Sequence, residues 1–434
     1  MKYTTVRKMM DYLDASPSCY HATENLKQLL LNNGYQLLRE SEVWQLQHAG
    51  KYVVIRNDSS LIAFRIPANV TGGFIMAAAH SDSPTFKLRE SAETESCGTL
   101  VLTTEPYGGA IRSTWMDRPL SVAGRVMTEE EGCLRTRLVN VDRDLLVIPN
   151  VAPHLNRTIN DGVALKPNVD LRPIMGTADD KGKFRALVAE AAGVQEESIL
   201  SSELFLYPRM RSTLVGAEEQ YVLSPRLDDL QCAFTCTEGF IRAAESSSVP
   251  VLCVFNNEEV GSGTLQGANS DFLSHVLKRI SQSLGRTEEE HMAALARSFM
   301  VSADNAHAVH PNHTEYADVN EKVSINNGVV VKFNANQKYS SDAVSAAVFR
   351  RICRMADAPV QTYSNRADMP GGSTLGNISI TRVSVPTVDV GLPQLAMHSA
   401  CELAGVEDTE NMARIMEVYF SRTLRRDPDG GILL

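Results

Sequence analysis

GGFIMAAAHSDSP, residues 72–84, is an apolar run opened by a glycine pair and closed by an imidazole and a carboxylate. A segment that is apolar at every position, without polar alternation, suits a strand buried on both faces, as in a parallel sheet covered by helices. His80 stands at the end of that strand and Asp82 two residues beyond it. In open α/β sheets, ligands bind outside the carboxyl ends of the strands. The run therefore points to a layered fold and to the edge where its chemistry belongs.

Upstream, NLKQLLLNNGYQLL (25–38) spaces its leucines as a helix does, and KYVVIRND (51–58) and LIAFRIP (61–67) read as short strands. Downstream, from about Leu88 to Pro225, the texture changes. TLVLTTEP (99–106), LSVAGRVM (120–127), RTRLVNV (135–141) and DLLVIPNV (144–151) are short and β-rich, separated by Gly, Pro and charge. After Pro225 alternation resumes. A helix (229–245) leads to the strand VPVLCVFNN (249–257). A long helical region then precedes FMVSAD (299–304), followed by GVVVKFN (328–334), a helix over 341–356 and TVDVGLP (387–393). The expected fold is a layered α/β/α unit with a mostly parallel central sheet. Residues 1–88 and 226–434 would form this unit, and 89–225 an inserted β-rich unit.

The same positional pattern recurs along the chain. VLCVFNN runs into Glu258 and Glu259, FMVSA into Asp304, TVDVGLPQLAM into His398, and SPRL into Asp228 and Asp229 before a helix. Imidazole and carboxylate donors suit zinc, and a pair of ions about 3.5–4 Å apart needs a carboxylate that bridges them. Of two adjacent glutamates, one can bind metal while its neighbour takes a proton. Asp82 would accept from the other ring nitrogen of His80 and fix its tautomer. Taken singly, each piece has a plainer reading: a structural histidine, a solvated glutamate pair, an aspartate capping a helix. SADNAHAVHPNH (302–313) is not an HExxH helix, because Pro311 interrupts it, and His310 and His313 read as surface or packing histidines.

The composition excludes several function classes. The chain has 434 residues, 43% hydrophobic and 22% charged, with a formal net charge of -10. That charge disfavours nucleic acid and acidic membrane surfaces as partners, and no apolar run reaches the roughly 18 residues of a membrane span. The N-terminal stretch mixes in acidic residues and lacks the apolar core of a signal peptide. The eight cysteines are scattered and include no CxxC pair, as expected of reduced thiols in a cytoplasmic protein.

In combination, these segments resemble the aspartyl aminopeptidases, a family of two-metal peptidases. The resemblance runs from ASPSCYHA (15–22) through AAAHSDSP, PYGGAIRSTWMDRPLSVAGRV (106–126), SPRLDDL, NNEEVGS, SADNAHAVHPN and GVVVKFNANQKYSS (328–341) to MPGGSTLG (369–376) and GLPQLAMHS (391–399). It implies hydrolysis of the N-terminal residue of peptides, with Asp or Glu preferred. Asp228 would bridge two Zn2+ per subunit, with Co2+ or Mn2+ as substitutes. His80 and Asp304 would hold one ion, and Glu259 and His398 the other. Glu258 would be the general base acting on a water between the ions. His307, Lys332 and Tyr339 would line the substrate pocket, with Lys332 the cation facing an acidic side chain. His154, in PHLNR (153–157), would reach a neighbouring subunit's site, and the subunits would assemble from dimers into a tetrahedral particle of twelve. Ser81 stands where the family usually has Thr, Asp229 where Asn is common, and Asn257 precedes the glutamate pair. The alternatives are a related two-metal aminopeptidase of broad or different specificity, a deacylase, or a particle whose assembly or binding role dominates.

Overall fold

A computed structural model describes residues 3–427, 429 and 431–434. Its central sheet has nine strands. Their spatial order is Gln36–Leu38, Lys51–Arg56, Ser60–Arg65, Val249–Phe255, Phe74–His80, Phe299–Ala303, Thr387–Gly391, Val329–Phe333 and Val360–Ser364. The four strands from Val249–Phe255 to Thr387–Gly391 are mutually parallel, so their carboxyl ends share one edge. Antiparallel pairings occur only toward the flanks, as between Lys51–Arg56 and Ser60–Arg65.

The apolar run 74–79 is buried on both sides because alternate residues of a strand point to opposite faces. Ile75, Ala77 and Ala79 pack with the helices Leu227–Arg242, Ala343–Met355 and Val406–Phe420. Phe74, Met76 and Ala78 face the opposite layer, where helix Phe272–Ser283 contributes Phe272, Leu273, Val276, Leu277 and Ile280. A large apolar side chain contributes roughly 1.5–3 kcal/mol when fully buried. Both layers therefore hold the sheet, which is α/β/α as expected.

The chain leaves the sheet after His80 and returns at Val249, next to the strand it left. Between them lies a six-stranded antiparallel sheet in the order Cys133–Asn140, Leu120–Glu130, Ile199–Pro208, Thr85–Ser96, Thr99–Tyr107 and Ile174–Thr177. Its core gathers Phe86, Trp115, Leu120, Val122 and Leu204 against helix Lys183–Ala192. A third sheet of five short strands joins Thr213–Val215, Tyr221–Ser224, Glu402–Gly405, Pro393–Leu395 and Ala306–His307. The 213–224 hairpin thus pairs with a strand near the C-terminus and not with the six-stranded sheet.

Two expected elements differ. The helix read over 25–38 spans Cys19–Asn32; Gly34, with φ of 83°, turns the chain, and Gln36–Leu38 becomes a strand. DLLVIPNV makes only isolated bridges through Leu146 and Val147, because Pro149 cannot donate to a ladder.

Candidate metal centre

The parallel strands deliver their terminal residues to one edge. His80 is the last residue of its strand and is in register with Phe255, so Glu258 and Glu259 follow within one turn of chain beside it. Asp304 follows Phe299–Ala303, and its amide donates to the Val390 carbonyl of the next strand. That approach requires Gly391: a Cβ there would lie 2.1 Å from the Asp304 carbonyl oxygen. Asp228 and Asp229 open helix Leu227–Arg242, and their joining peptide is cis. His398 follows strand Pro393–Leu395 of the third sheet.

The Asp228 carboxylate lies between the two imidazoles. Its Oδ1 is 3.8 Å from His80 Nε2, and its Oδ2 is 3.2 Å from His398 Nε2. The same His398 nitrogen is 3.5 Å from Glu259 Oε2. The other ring nitrogens are engaged outside the cluster. His80 Nδ1 is 3.0 Å from the Asp82 carbonyl and 3.3 Å from Asp82 Oδ1, and His398 Nδ1 is 3.2 Å from the Gly109 carbonyl. A proton on each Nδ1 leaves both Nε2 lone pairs facing the carboxylates. The Asp82 side chain has a larger task than serving His80. It accepts from the backbone amides of Glu258 and Glu259, each at 3.2 Å, and from the Tyr107 hydroxyl at 2.7 Å. The glutamate pair is thereby anchored to the strand that carries His80.

Three sets of side chains place ligand atoms within 4.8 Å of one another: His80, Asp228, Asp229 and Asp304; His80, Glu258 and Glu259; and Asp228, Glu259 and His398. Asp228 Oδ1, Asp229 Oδ1 and Glu259 Oε1 are buried without a hydrogen-bond partner. Buried carboxylate oxygens left bare are costly unless a cation meets them. The titration behaviour agrees. Burial, reinforced by Asp304 and opposed by His80, pushes the Glu258 carboxyl up to about 8. Burial and the Asp228 charge push Glu259 well above the carboxylate range, and burial with Asp304 and Asp228 does the same for Asp229. Asp228 stays below that range; burial opposes its charge, but His398 and His80 outweigh it. Divalent cations fit this donor set and would relieve its excess of negative charge.

A cavity of about 360 Å³ opens over the cluster, lined by His80, Asp228, Glu258, Glu259, Asp304 and His398 together with His307, Lys332 and Tyr339. The Lys332 ammonium donates to the Asn305 carbonyl at 2.8 Å, sits 3.7 Å from Asp304 Oδ1 and lies over the Tyr339 ring at 5.5 Å. Every expected site residue except His154 converges here. His154 is exposed in the 148–166 connection and does not line its own chain's cavity. His310 and His313 are exposed, as expected, on an adjoining cavity of about 400 Å³.

Sequence reading missed Glu402. It is buried, and it accepts from the Asp228 amide at 3.0 Å and the His398 amide at 2.7 Å, tying the two segments together. It also missed Asp389, whose carboxylate accepts from the Ser340 amide and from the hydroxyls of Ser340 at 2.6 Å and Thr374 at 2.8 Å, fixing two loops on the cavity wall. Neither residue ends a central strand next to another candidate ligand, and that was the signal in use.

Carboxylates and paired imidazoles at the carboxyl edge of a layered α/β sheet define a metallohydrolase class. The chain matches the family model for aminopeptidase I zinc metalloproteases, M18, over residues 12–420. It is 42% identical over 424 residues to a probable M18 family aminopeptidase 2 of Clostridium acetobutylicum, covering 96% of this chain and 98% of that one. Among solved structures, it is similar to a chain in the cryo-EM structure of the Ape4 and Nbr1 complex. There the TM-score is 0.93 and the identity 34%, over 96% of this chain and 85% of that one. It is also similar to the mApe1 dodecamer of S. cerevisiae, with a TM-score of 0.85 and 25% identity over 97% of both chains. The chain belongs to the M18 family of zinc aminopeptidases and is a hydrolase.

Proposed function

We propose that this aminopeptidase removes acidic N-terminal residues from peptides at a centre of two zinc ions per subunit, with Glu258 as general base. The observation that carries the two-ion reading is Asp228, with one oxygen toward His80 and the other toward His398. In this reading His80 and Asp304 hold one ion, Glu259 and His398 the other, and Asp228 is shared. The bound ions would supply Lewis-acid polarisation of the scissile carbonyl and lower the pKa of water. Glu258, at the cavity wall, would take a proton from the attacking water and pass one to the leaving amine. Tyr339 and a neighbour's His154 would donate to the developing oxyanion.

The acidic preference rests on Lys332. Among the described residues it is the one lysine on a cavity wall otherwise rich in carboxylates, and an ammonium has three donors. A broad preference is the competing reading, favoured by the existing engagement of Lys332 with Asn305 and Asp304. Hydrolysis of chromogenic amides of all twenty amino acids, with zinc, cobalt or manganese supplied in turn, separates the two. Asp and Glu leading by tenfold or more supports the acidic reading; a flat or apolar-led profile replaces it.

The inserted unit, residues 89–225, which carries most of the six-stranded sheet, is proposed as the dimerisation unit. The S. cerevisiae relative is a dodecamer, and a particle of twelve built from dimers is proposed here too. No helix among the described residues is long and apolar enough to cross a membrane. Scattered thiols with no disulfide among the described residues support a cytoplasmic location.

A further inference from the structure

We propose that Asp229 is a third carboxylate ligand at the ion position of His80 and Asp304, and that it tilts this position away from zinc toward manganese. The inference rests on the two-metal reading above. Asp229 is fully buried. One of its oxygens, Oδ2, accepts from the His80 amide at 3.0 Å, whereas Oδ1 has no partner. The nearby Cys232 thiol donates to Asn305 Oδ1 at 3.0 Å. Asp229 belongs to the same group as His80, Asp228 and Asp304, with ligand atoms all within 4.8 Å. A side chain that only braced the His80 strand would need one acceptor. The second oxygen is bare and the side chain offers an atom to the ligand cluster, as a cation ligand would.

The two positions then differ in chemistry. Around His80 the donors are one imidazole and the carboxylates of Asp228, Asp229 and Asp304, with Glu258 and Glu259 also grouped with His80. Around His398 they are one imidazole and the carboxylates of Asp228 and Glu259. Oxygen-rich sets of higher coordination suit manganese, whereas zinc is content with few donors and favours nitrogen. The zinc-to-manganese affinity ratio is therefore lower at the His80 position than at the His398 position.

The variant Asp229→Asn keeps an oxygen for the His80 amide and removes the charge. The experiment uses full-length protein stripped of metal and titrated with Zn2+ or Mn2+ alone. Stoichiometry is read by elemental analysis, affinity by calorimetry and bound Mn2+ by electron paramagnetic resonance. We expect two ions in the parent protein. In Asp229→Asn, manganese affinity at one position falls by about 10–100-fold, the range for losing a partner around a metal site, with a smaller loss for zinc. Asp304→Asn, which removes a ligand outright, weakens both metals at that same position. An unchanged zinc-to-manganese ratio in Asp229→Asn, with two ions still bound, overturns the proposal and leaves the two-metal reading intact. Equal loss of both metals at both positions also overturns it, making Asp229 a structural brace. Fewer than two ions in the parent protein overturns the two-metal reading itself, and this proposal with it.

Discussion

Glu258 and Glu259 are neighbours in sequence with different proposed tasks, and substitution separates them. Glu258→Gln keeps the side-chain volume and both ions but lowers turnover by about 10²–10⁴-fold; elemental analysis beside kinetics checks it, and near-parental turnover with two ions bound would remove Glu258 as base. Lys332→Met is expected to depress Asp- and Glu-initiated substrates about ten- to a hundredfold more than Ala- or Leu-initiated ones, the worth of one charge-assisted contact. Uniform loss across the panel would make Lys332 a brace for the Asn305 carbonyl. Glu402 acts through others. In Glu402→Gln an amide group must face one of the two N–H donors that the carboxylate now satisfies, so metal affinity should drop about 10–100-fold. An unchanged metal titration would confine Glu402 to packing. The contrast between these residues shows where the sequence was legible. Glu258 lies just past the end of a central strand, where side chains far apart in sequence must converge, whereas Lys332, inside a strand antiparallel to its neighbour, was legible only through the family resemblance. Glu402 and Asp389 act by accepting backbone amides and hydroxyls from segments that meet only after folding, and no spacing rule marks such residues.

The edge of the sheet is as tightly constrained as the ligands on it. Strand Thr387–Gly391 ends against the backbone of Asp304, and only hydrogen fits on the Gly391 α-carbon. Backbone cannot swing aside as a side-chain tip can, so Gly391→Ala must push Asp304 or its own strand away. A displacement near 1 Å costs about 10²-fold in rate. The expected result is a folded protein with weakened metal binding and turnover down by about that factor. Parental metal affinity would show that the edge relaxes freely. The layered fold was readable from strand runs alternating with helical ones, and the structure divides the apolar run between the two layers, Phe74, Met76 and Ala78 on one side and Ile75, Ala77 and Ala79 on the other. The third sheet was not readable, because its strands are two to four residues long and one of its pairings reaches from Tyr221 to Gly405.

On the scale of the whole molecule, one expected site residue stands apart. His154 is exposed, between Val151 at 48% exposure and Leu155 at 84%. Large apolar side chains so bare on both sides suit a segment buried by a second copy. Two inactive variants test whether that copy's site receives His154. His154→Ala lacks the donated imidazole, which is worth about 10²–10³ in turnover for a lost oxyanion donor, and Glu258→Gln lacks the base. In a mixed dimer one site regains both groups, so reassembling the two variants together should restore part of the activity. Mixed particles without recovery would place His154 outside catalysis.

The crowd of buried acids around Asp228 also governs endurance. In the metal-free protein Glu258 and Glu402, each pushed up to about 8 with burial as the largest cause, hold protons that an unfolded chain would release near pH 4.5. His80 and His398 are also raised; burial opposes their charge, but neighbouring carboxylates outweigh it. Groups raised on folding lend stability that is complete below their unfolded values and is lost as pH climbs through the folded ones. The stripped protein should therefore melt at progressively lower temperature as pH climbs from about 4.5 to about 8, losing about 1.4 kcal/mol per pH unit for each proton released, while the loaded protein holds nearly level. A flat profile for the stripped form would argue against this crowding. Starvation for metal would thus first appear as alkaline fragility, legible in a melting curve with no peptide in the tube.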